Sequence, residues 1–372
     1  MKFSIEKQEL MSKIQHLNSI IPSKNTMPIL TNFLIQADRQ TNLLKFTATD
    51  LELTVVAELT ADVSEDGKVT VSARNLSDTI STLPDVMIHF MLEEDNLRII
   101  CEHTRYSLKC AESSQFPLVP QREMSNVIKL DAIMFKKMID NTHFAVSTEI
   151  NRPIFTGICW KLLPEYQLMV ATDGKKIAEF KLNLRSELTE PIEQVIPTKG
   201  LLFLDKVFSD DLPEIAVLLE SNRVMFVYGN YTIFTHIIEG KFPDYTKAIP
   251  TSNNNVLKIK RSLLKDAVRR AAPLATEDTF KIKIDISESQ LSINSAKREE
   301  GEADTTLEDY HYSGEVLTIA FNYKYLNAIL SVLESEFIEL RMGKANEPAL
   351  FFNTEIDERY SARFLLMPLR LQ

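Results

Sequence analysis

The chain has 372 residues, 44% apolar and 25% charged, which is the composition of folded soluble domains and excludes a mainly disordered chain. At about 100–200 residues per domain, that length suits two to four domains. A net charge of −10 and a pI near 5.3 exclude an overall basic footprint, the usual mark of a nucleic-acid binder, but not one gathered on a single surface.

The N-terminus (MKFSIEKQELM) carries charges where a secretory apolar core would lie, so export is not expected. It predicts a short strand followed by a helix over 7–20. A second helix is expected at 74–83. The segments 87–92 (MIHFML), 97–101 (LRIIC) and 105–110 (RYSLKC) have the short, alternating, β-rich character of half-buried strands. Turns are expected at Asp95-Asn96 and His103-Thr104. Further helices are predicted at 132–145, 199–208, 261–275 and 322–333, each with an apolar stripe at i, i+3, i+4 spacing. Phe135, Met138, Ile139, Thr142 and Val146 form such a stripe, as do Leu264, Ala267, Val268 and Ala271. The longest apolar runs, such as 215–219 (IAVLL), fall far short of the roughly 20 residues of a membrane helix.

The pattern repeats. TATD ends at Asp50 and VATD at Asp173, 123 residues apart, and Phe116-Pro117 returns 126 residues later as Phe242-Pro243. After each Phe-Pro pair a new strand and helix begin. The openings FSIEKQELMSKIQHLNSII, IKLDAIMFKKMIDNTHFAV and LKIKRSLLKDAVRRAAPLA match, as do TVSARNLSDTISTL, QVIPTKGLLFLDKVF and LTIAFNYKYLNAILSVL. The third copy diverges most, with LSINSA at the position of the ATD strand. We therefore expect an α+β fold of three similar domains, 1–126, 127–251 and 252–372, each made of two strand–helix–strands units.

Charge is divided by element. The six predicted helices hold 12 Lys or Arg against 5 Asp or Glu, so they are positive while the rest of the chain sums to −17. Lys136, Lys137, Lys199, Lys206, Lys265, Arg269, Arg270 and Lys324 lie off the apolar stripes. This pattern suits a helical surface facing a polyanion through phosphate contacts that read no bases. Solvated helix faces are the plain alternative.

No catalytic constellation emerges. The six histidines (16, 89, 103, 143, 236, 311) have no metal spacing, and no GxxxxGK[ST], GxGxxG or GxSxG occurs,. Asp50 and Asp173 follow strands at turn positions, where Asp caps its own backbone; acid–base work by either is the enzymatic alternative. Cys101, Cys110 and Cys159 form no CxxC pair, which suits a reducing cytoplasm. Cys159, beside Trp160, reads as core.

MKFSIEKQEL at the start, MPIL at 27–30, TATDLEL at 47–53, VATDGKKIA at 170–178, GKFPDY at 240–245 and MPLRL at 367–371 together resemble the β sliding clamps of bacterial DNA polymerase III. The resemblance keeps order and spacing from end to end. It implies the DNA clamp fold and a ring-forming head-to-tail homodimer, with helices lining the hole and strands outside. Twelve helices about 10 Å apart would form a ring at least roughly 120 Å around and about 38 Å in diameter, which leaves room for a duplex plus water. It implies a non-enzymatic processivity factor without cofactor or metal. Its partners would be duplex DNA, a second copy of itself, the replicative polymerase, the clamp loader and other proteins carrying a clamp-binding motif, with no membrane. A repeat-built interaction scaffold that encircles no DNA is the remaining reading.

By resemblance, a partner-peptide pocket is expected from Phe155, Thr172, Gly174, Lys175, Lys176, Ile177, Pro243, Lys247, Leu365, Leu366, Met367, Pro368, Leu369 and Arg370. Lys175-Lys176 stands where a His-Arg pair is familiar, Lys247 where Arg is, and Gln372 extends the tail. Lysine lacks the planar fork of arginine. The subunit seam would bring Arg105, Tyr106 and Leu108 of one copy to Pro273 and Leu274 of another, with Glu299, Glu300 and Glu302 pairing Arg105 and Arg98. DNA contacts implied include Lys24, Arg74, Arg152 and Lys199; Pro153-Ile154 replaces a Tyr pair.

Overall fold

A computed structural model describes residues 1–22, 27–122, 124–125, 127–184, 190–297 and 300–371. Among these, six α-helices are each attached directly to the end of a strand: α1 (Lys7–Asn18), α2 (Ala73–Thr82), α3 (Ala132–Asp140), α4 (Thr198–Val207), α5 (Arg261–Ala271) and α6 (Tyr323–Val332). Three junctions carry a short polar cap, which accepts an N–H left over in the first turn. Ser72 Oγ accepts from Asn75 N (3.3 Å), Asp131 Oδ1 from Met134 N (2.8 Å) and Asn322 Oδ1 from Lys324 N (2.9 Å).

Two helices end four or five residues before the ends expected from the sequence, 145 and 275. α3 stops at Asp140 and a 3₁₀ turn, His143–Ala145, follows; α5 stops at Ala271 before the 3₁₀ turn Ala272–Leu274. At the first stop the side chains of Asn141 and Thr142 donate to the carbonyls of Lys137 and Met138 (2.8 and 2.7 Å), competing for the helix's own acceptors. At the second, Pro273 has no N–H to continue the ladder.

The chain divides into two compact units, residues 1–136 with 199–237, and residues 137–198 with 238–372. The first contains a thirteen-stranded antiparallel sheet. In it Leu53–Thr60 pairs with Tyr231–His236, so strands from the first and second repeats join in one ladder. The second contains a nine-stranded and a four-stranded sheet. There Lys176–Leu182 pairs with Tyr360–Leu366, joining the second and third repeats in the same way. The registers correspond: Thr54 faces Phe234 where Ile177 faces Leu365.

Helices pack on the sheets through their apolar stripes. Leu10, Ile14, Leu17, Leu76 and Ile80 are fully buried in the first unit; Leu264, Val268, Leu326, Ile329 and Leu330 are buried in the second. Each such side chain stabilises the fold by roughly 1.5–3 kcal/mol relative to exposure. Trp160 and Cys159 are core, and burial pushes the Cys159 thiol up to about 12.

The strands expected around 87–110 form Met87–Glu93, Asn96–Cys101 and Thr104–Ala111. Their turns fall one residue earlier than expected, at Glu94-Asp95 and Glu102-His103, because the ladder closes on Glu93–Asn96 and Cys101–Thr104 pairs. Glu94 and Glu102 therefore adopt positive φ (52° and 48°), a conformation uncommon outside glycine.

The two ATD turns have the same construction. Asp50 Oδ1 accepts from Glu52 N (3.1 Å) and Leu53 N (2.8 Å), and Asp173 Oδ1 accepts from Lys175 N (2.8 Å) and Lys176 N (3.0 Å). Thr49 and Thr172 hydroxyls donate to the carbonyls of Leu53 and Lys176. The residue after each Asp lies at positive φ, Leu51 at 79° and Gly174 at 87°. Both aspartates thus cap their own turns, as the sequence predicts. Asp173→Ala removes the oxygen that accepts from two N–H groups and the partner of buried Lys176. It should lower the unfolding free energy by about 1–3 kcal/mol in guanidinium titration, with Asp173→Asn costing less. Equal stability of Asp173→Ala and the parent protein would contradict this role.

Candidate functional site

The second unit holds a small apolar cavity of about 190 Å³. Its wall combines Phe155, from the 3₁₀ turn Pro153–Phe155, the ATD turn (Thr172, Gly174, Lys175, Lys176, Ile177), Pro243, Tyr245 and Ala248, and Leu365 and Met367 from the last strand and tail. Beneath it lies a core cluster that includes Cys159, Leu168, Val170, Ile177, Phe242, Tyr245 and Leu365.

Backbone pairing places these parts. The N–H of Met367 donates to the carbonyl of Lys175 (2.8 Å), continuing the ladder into the tail. Glu179 fastens the other side: it accepts from the Tyr245 hydroxyl and from Arg363 Nη2, both at 2.6 Å. Burial, with Glu179 beside it, pushes the Tyr245 phenol up. Lys176 is nearly buried, ion-paired to Asp173 and 4.3 Å from the Tyr325 ring centroid. Its charge is thus spent inside the wall, while Lys175 is exposed. The arrangement can hold one or two apolar side chains of an extended peptide, beside an outer lysine.

Nine of the expected pocket residues line the cavity; Lys247, Leu366, Pro368, Leu369 and Arg370 do not. Lys247 is exposed and 3.5 Å from Asp244. Leu366 is fully buried and, next along the strand from Leu365, points to the opposite face. The N–H of Leu369 donates to the Ala320 carbonyl (2.7 Å), tying the tail to the four-stranded sheet. Gln372 lies outside the described residues. Tyr245 and Ala248 were not expected as lining, although Tyr245 closes the GKFPDY motif; the 3₁₀ turn Tyr245–Ala248 brings both to the wall.

The basic helix faces are only partly available. Lys136 pairs with Asp205 and Lys199 with Asp50. Lys137 donates to Glu334 and to the Tyr360 hydroxyl, both at 2.7 Å, with its ammonium 4.3 Å from the Tyr360 ring centroid. Burial alone would lower the Lys137 pKa, but Glu334 and Tyr360 outweigh it and hold it raised. Arg74 and Arg269 make exposed pairs with Asp78 (3.7 Å) and Asp266 (3.3 Å). Such pairs contribute little and leave the cations free to exchange partners. Lys206, Arg152 and Arg270 are exposed and Lys265 half-exposed, with no carboxylate of a described residue paired to them. Lys24 lies outside the described residues.

Among the open strand edges, two carry the residues expected at the subunit seam. Thr104–Ala111 pairs along its length with Asn96–Cys101, but on its other side only Cys110 and Ala111 are paired. Arg105, Ser107 and Lys109 are exposed there, with Tyr106 and Leu108 half-buried. Gly301–Leu307 is the edge of the four-stranded sheet, with Glu302, Asp304 and Thr306 exposed. Pro273 is exposed and Leu274 half-buried, and Leu274 approaches Gly301. One edge is basic and the other acidic. Arg98 is held within its own chain by Glu93 (2.7 Å). Glu300 is exposed; Glu299 lies outside the described residues.

Three family models cover the chain in order. They are the N-terminal domain of the DNA polymerase III beta subunit at residues 1–120, its central domain at 129–244 and its C-terminal domain at 246–370. The chain is 28% identical to the beta sliding clamp of Pseudomonas aeruginosa and 29% identical to that of Vibrio cholerae, with all of each chain covered. Crystal structures of the Pseudomonas aeruginosa beta subunit and the Bacillus subtilis sliding clamp superpose over the full chains with TM-scores of 0.92 and 0.93, at 28% and 27% identity. The fold is the three-domain α+β clamp fold, and the chain belongs to the DNA polymerase III beta subunit family, the beta sliding clamps.

Proposed function

We propose that the protein is a DNA sliding clamp, in which two copies close head to tail around duplex DNA and tether the replicative polymerase and other replication and repair proteins. The family match along the whole chain carries this reading. The domains would be 1–126, 127–251 and 252–372. The protein would catalyse nothing and work in the cytoplasm; among the described residues, no helix is long and apolar enough to cross a membrane.

Closure would use these two edges. Thr104–Lys109 of one copy would add to Gly301–Leu307 of the next, completing the hydrogen bonds that an open edge leaves unmade. Arg105 and Lys109 would then face Glu302 and Asp304. A head-to-tail contact whose rotation closes gives a ring instead of a filament. Basic helix faces (Arg74, Lys136, Lys137, Lys199, Lys206, Lys265, Arg269, Arg270), with Arg152 before the 3₁₀ turn Pro153–Phe155, would meet phosphates through screened, sequence-independent contacts,. Retention would come from threading, so weak contacts suffice. The pocket around Ile177, Tyr245 and Met367 would seat an apolar pair from a partner's extended segment.

The parent protein should have a solution mass near twice 42.5 kDa. Arg105→Glu should weaken the dimer at least roughly tenfold, the scale of 1.4 kcal/mol, and adding Glu302→Arg should restore part of it. A monomeric parent, or a double variant weaker than either single one, would contradict the seam. Deleting residues 367–372 should abolish polymerase stimulation and leave the dimer intact; full stimulation by the truncated chain would remove the pocket from the mechanism.

A further inference from the structure

Tyr231 opens the strand Tyr231–His236 beneath α1 and α4, and its side chain is buried. Three groups gather on it. His16 Nδ1, from α1, lies 2.6 Å from its hydroxyl. The Lys13 ammonium, one turn earlier on α1, sits 4.4 Å from its ring centroid. Phe203, from α4, packs edge-on at 5.6 Å and brings Lys206 of the same helix into electrostatic range of His16. Tyr231 therefore holds His16 and Lys13 side by side where α4 adds a third basic group.

No carboxylate of a described residue pairs with this cluster. Glu9, one turn before Lys13, acts on Lys13 across the helix surface, and Asp205 on α4 is taken by Lys136. Lys13, Lys206 and the Tyr231 phenol are thus the titratable groups that face His16. Burial first, then Lys13 and Lys206, hold its pKa below the ordinary histidine value of 6.5. Burial likewise lowers Lys13 and raises Tyr231. The hydrogen bond to Tyr231 serves both states of the ring. The hydroxyl donates to Nδ1 of the neutral imidazole, and a protonated Nδ1–H donates to the hydroxyl oxygen.

We propose that Lys13, His16 and Lys206 form a seat for a backbone phosphate of duplex DNA, and that His16 takes up a proton when the phosphate arrives. The seat rests on the reading that these helices face the duplex. Lys13 and Lys206, with no carboxylate of a described residue paired to them, oppose a charge on His16, and a phosphate removes that opposition. The protonated ring is then favoured, so binding and protonation reinforce each other. The sign follows: lowering the pH through the interval between the free and bound pKa values of His16 strengthens duplex binding. A pKa rise of about one unit corresponds to a tenfold gain.

The test uses the full chain with isotopically labelled histidine rings, titrated by NMR at low salt with and without a short blunt-ended duplex. His16→Gln assigns the signal, and the other histidine signals report that the variant folds. The expected result is a His16 pKa that rises by about one unit with duplex, and a roughly tenfold tighter Kd at pH 5.5 than at pH 8 beyond the change shown by His16→Gln. His16→Lys should bind tightly at both pH values. Duplex binding with an unmoved His16, or a His16→Gln variant keeping the full pH response, would overturn the seat while leaving the clamp reading intact. Inorganic phosphate producing the same shift at equal phosphate concentration would overturn the duplex assignment. No duplex binding at either pH would overturn both readings.

Discussion

Antiparallel backbone pairing across the sequence repeats is the constraint on which the rest of the molecule depends. A β-strand with one side unpaired leaves a row of N–H and C=O groups that must be met by another strand, by water or by a covering element. Within the chain this is solved twice, when Leu53–Thr60 takes Tyr231–His236 and when Lys176–Leu182 takes Tyr360–Leu366. Repeats that look separate in sequence are thereby joined into common sheets. The second joining also builds the cavity, since Tyr360–Leu366, an inner strand of the nine-stranded sheet, carries Leu365 to its wall and leads into Met367. Two of the edges left open, Thr104–Lys109 and Gly301–Leu307, have opposite charge, and the proposed dimer repeats between copies what the chain does internally.

Electrostatics acts on top of that scaffold and is weaker than the residue count suggests. Lys136, Lys137 and Lys199 are each drawn to an acid of the same compact unit. Partial neutralisation suits a protein that must hold a duplex without gripping it, because fewer displaced counterions mean weaker, more mobile contacts. Against that background stands the group around Tyr231, which gathers basic residues from two helices with no carboxylate of a described residue paired to it.

Much of the fold was legible in the sequence because the signals were local. A strand running directly into an apolar stripe marks all six helices, and the two ATD segments announce turns capped by Asp50 and Asp173. Helix ends were less legible, since Asn141 and Thr142 act against a stripe that continues to Val146, and Pro273 stops a helix expected to reach residue 275. The ion pairs were illegible: Lys137 meets Glu334 across 197 residues and Lys199 meets Asp50 across 149, and no periodicity encodes such a partner. In the pocket, motif resemblance gathered most of the wall. It missed Tyr245 and Ala248, which a 3₁₀ turn delivers, and it included Leu366, which strand alternation turns away.

The central claim is that the duplex is held by topology. Protein placed on a nicked circular DNA by its clamp loader, then moved to high salt, should remain bound until one cut linearises the circle, and should then slide off the free ends. Equal retention on circular and linear DNA, or equal loss from both, would contradict encirclement.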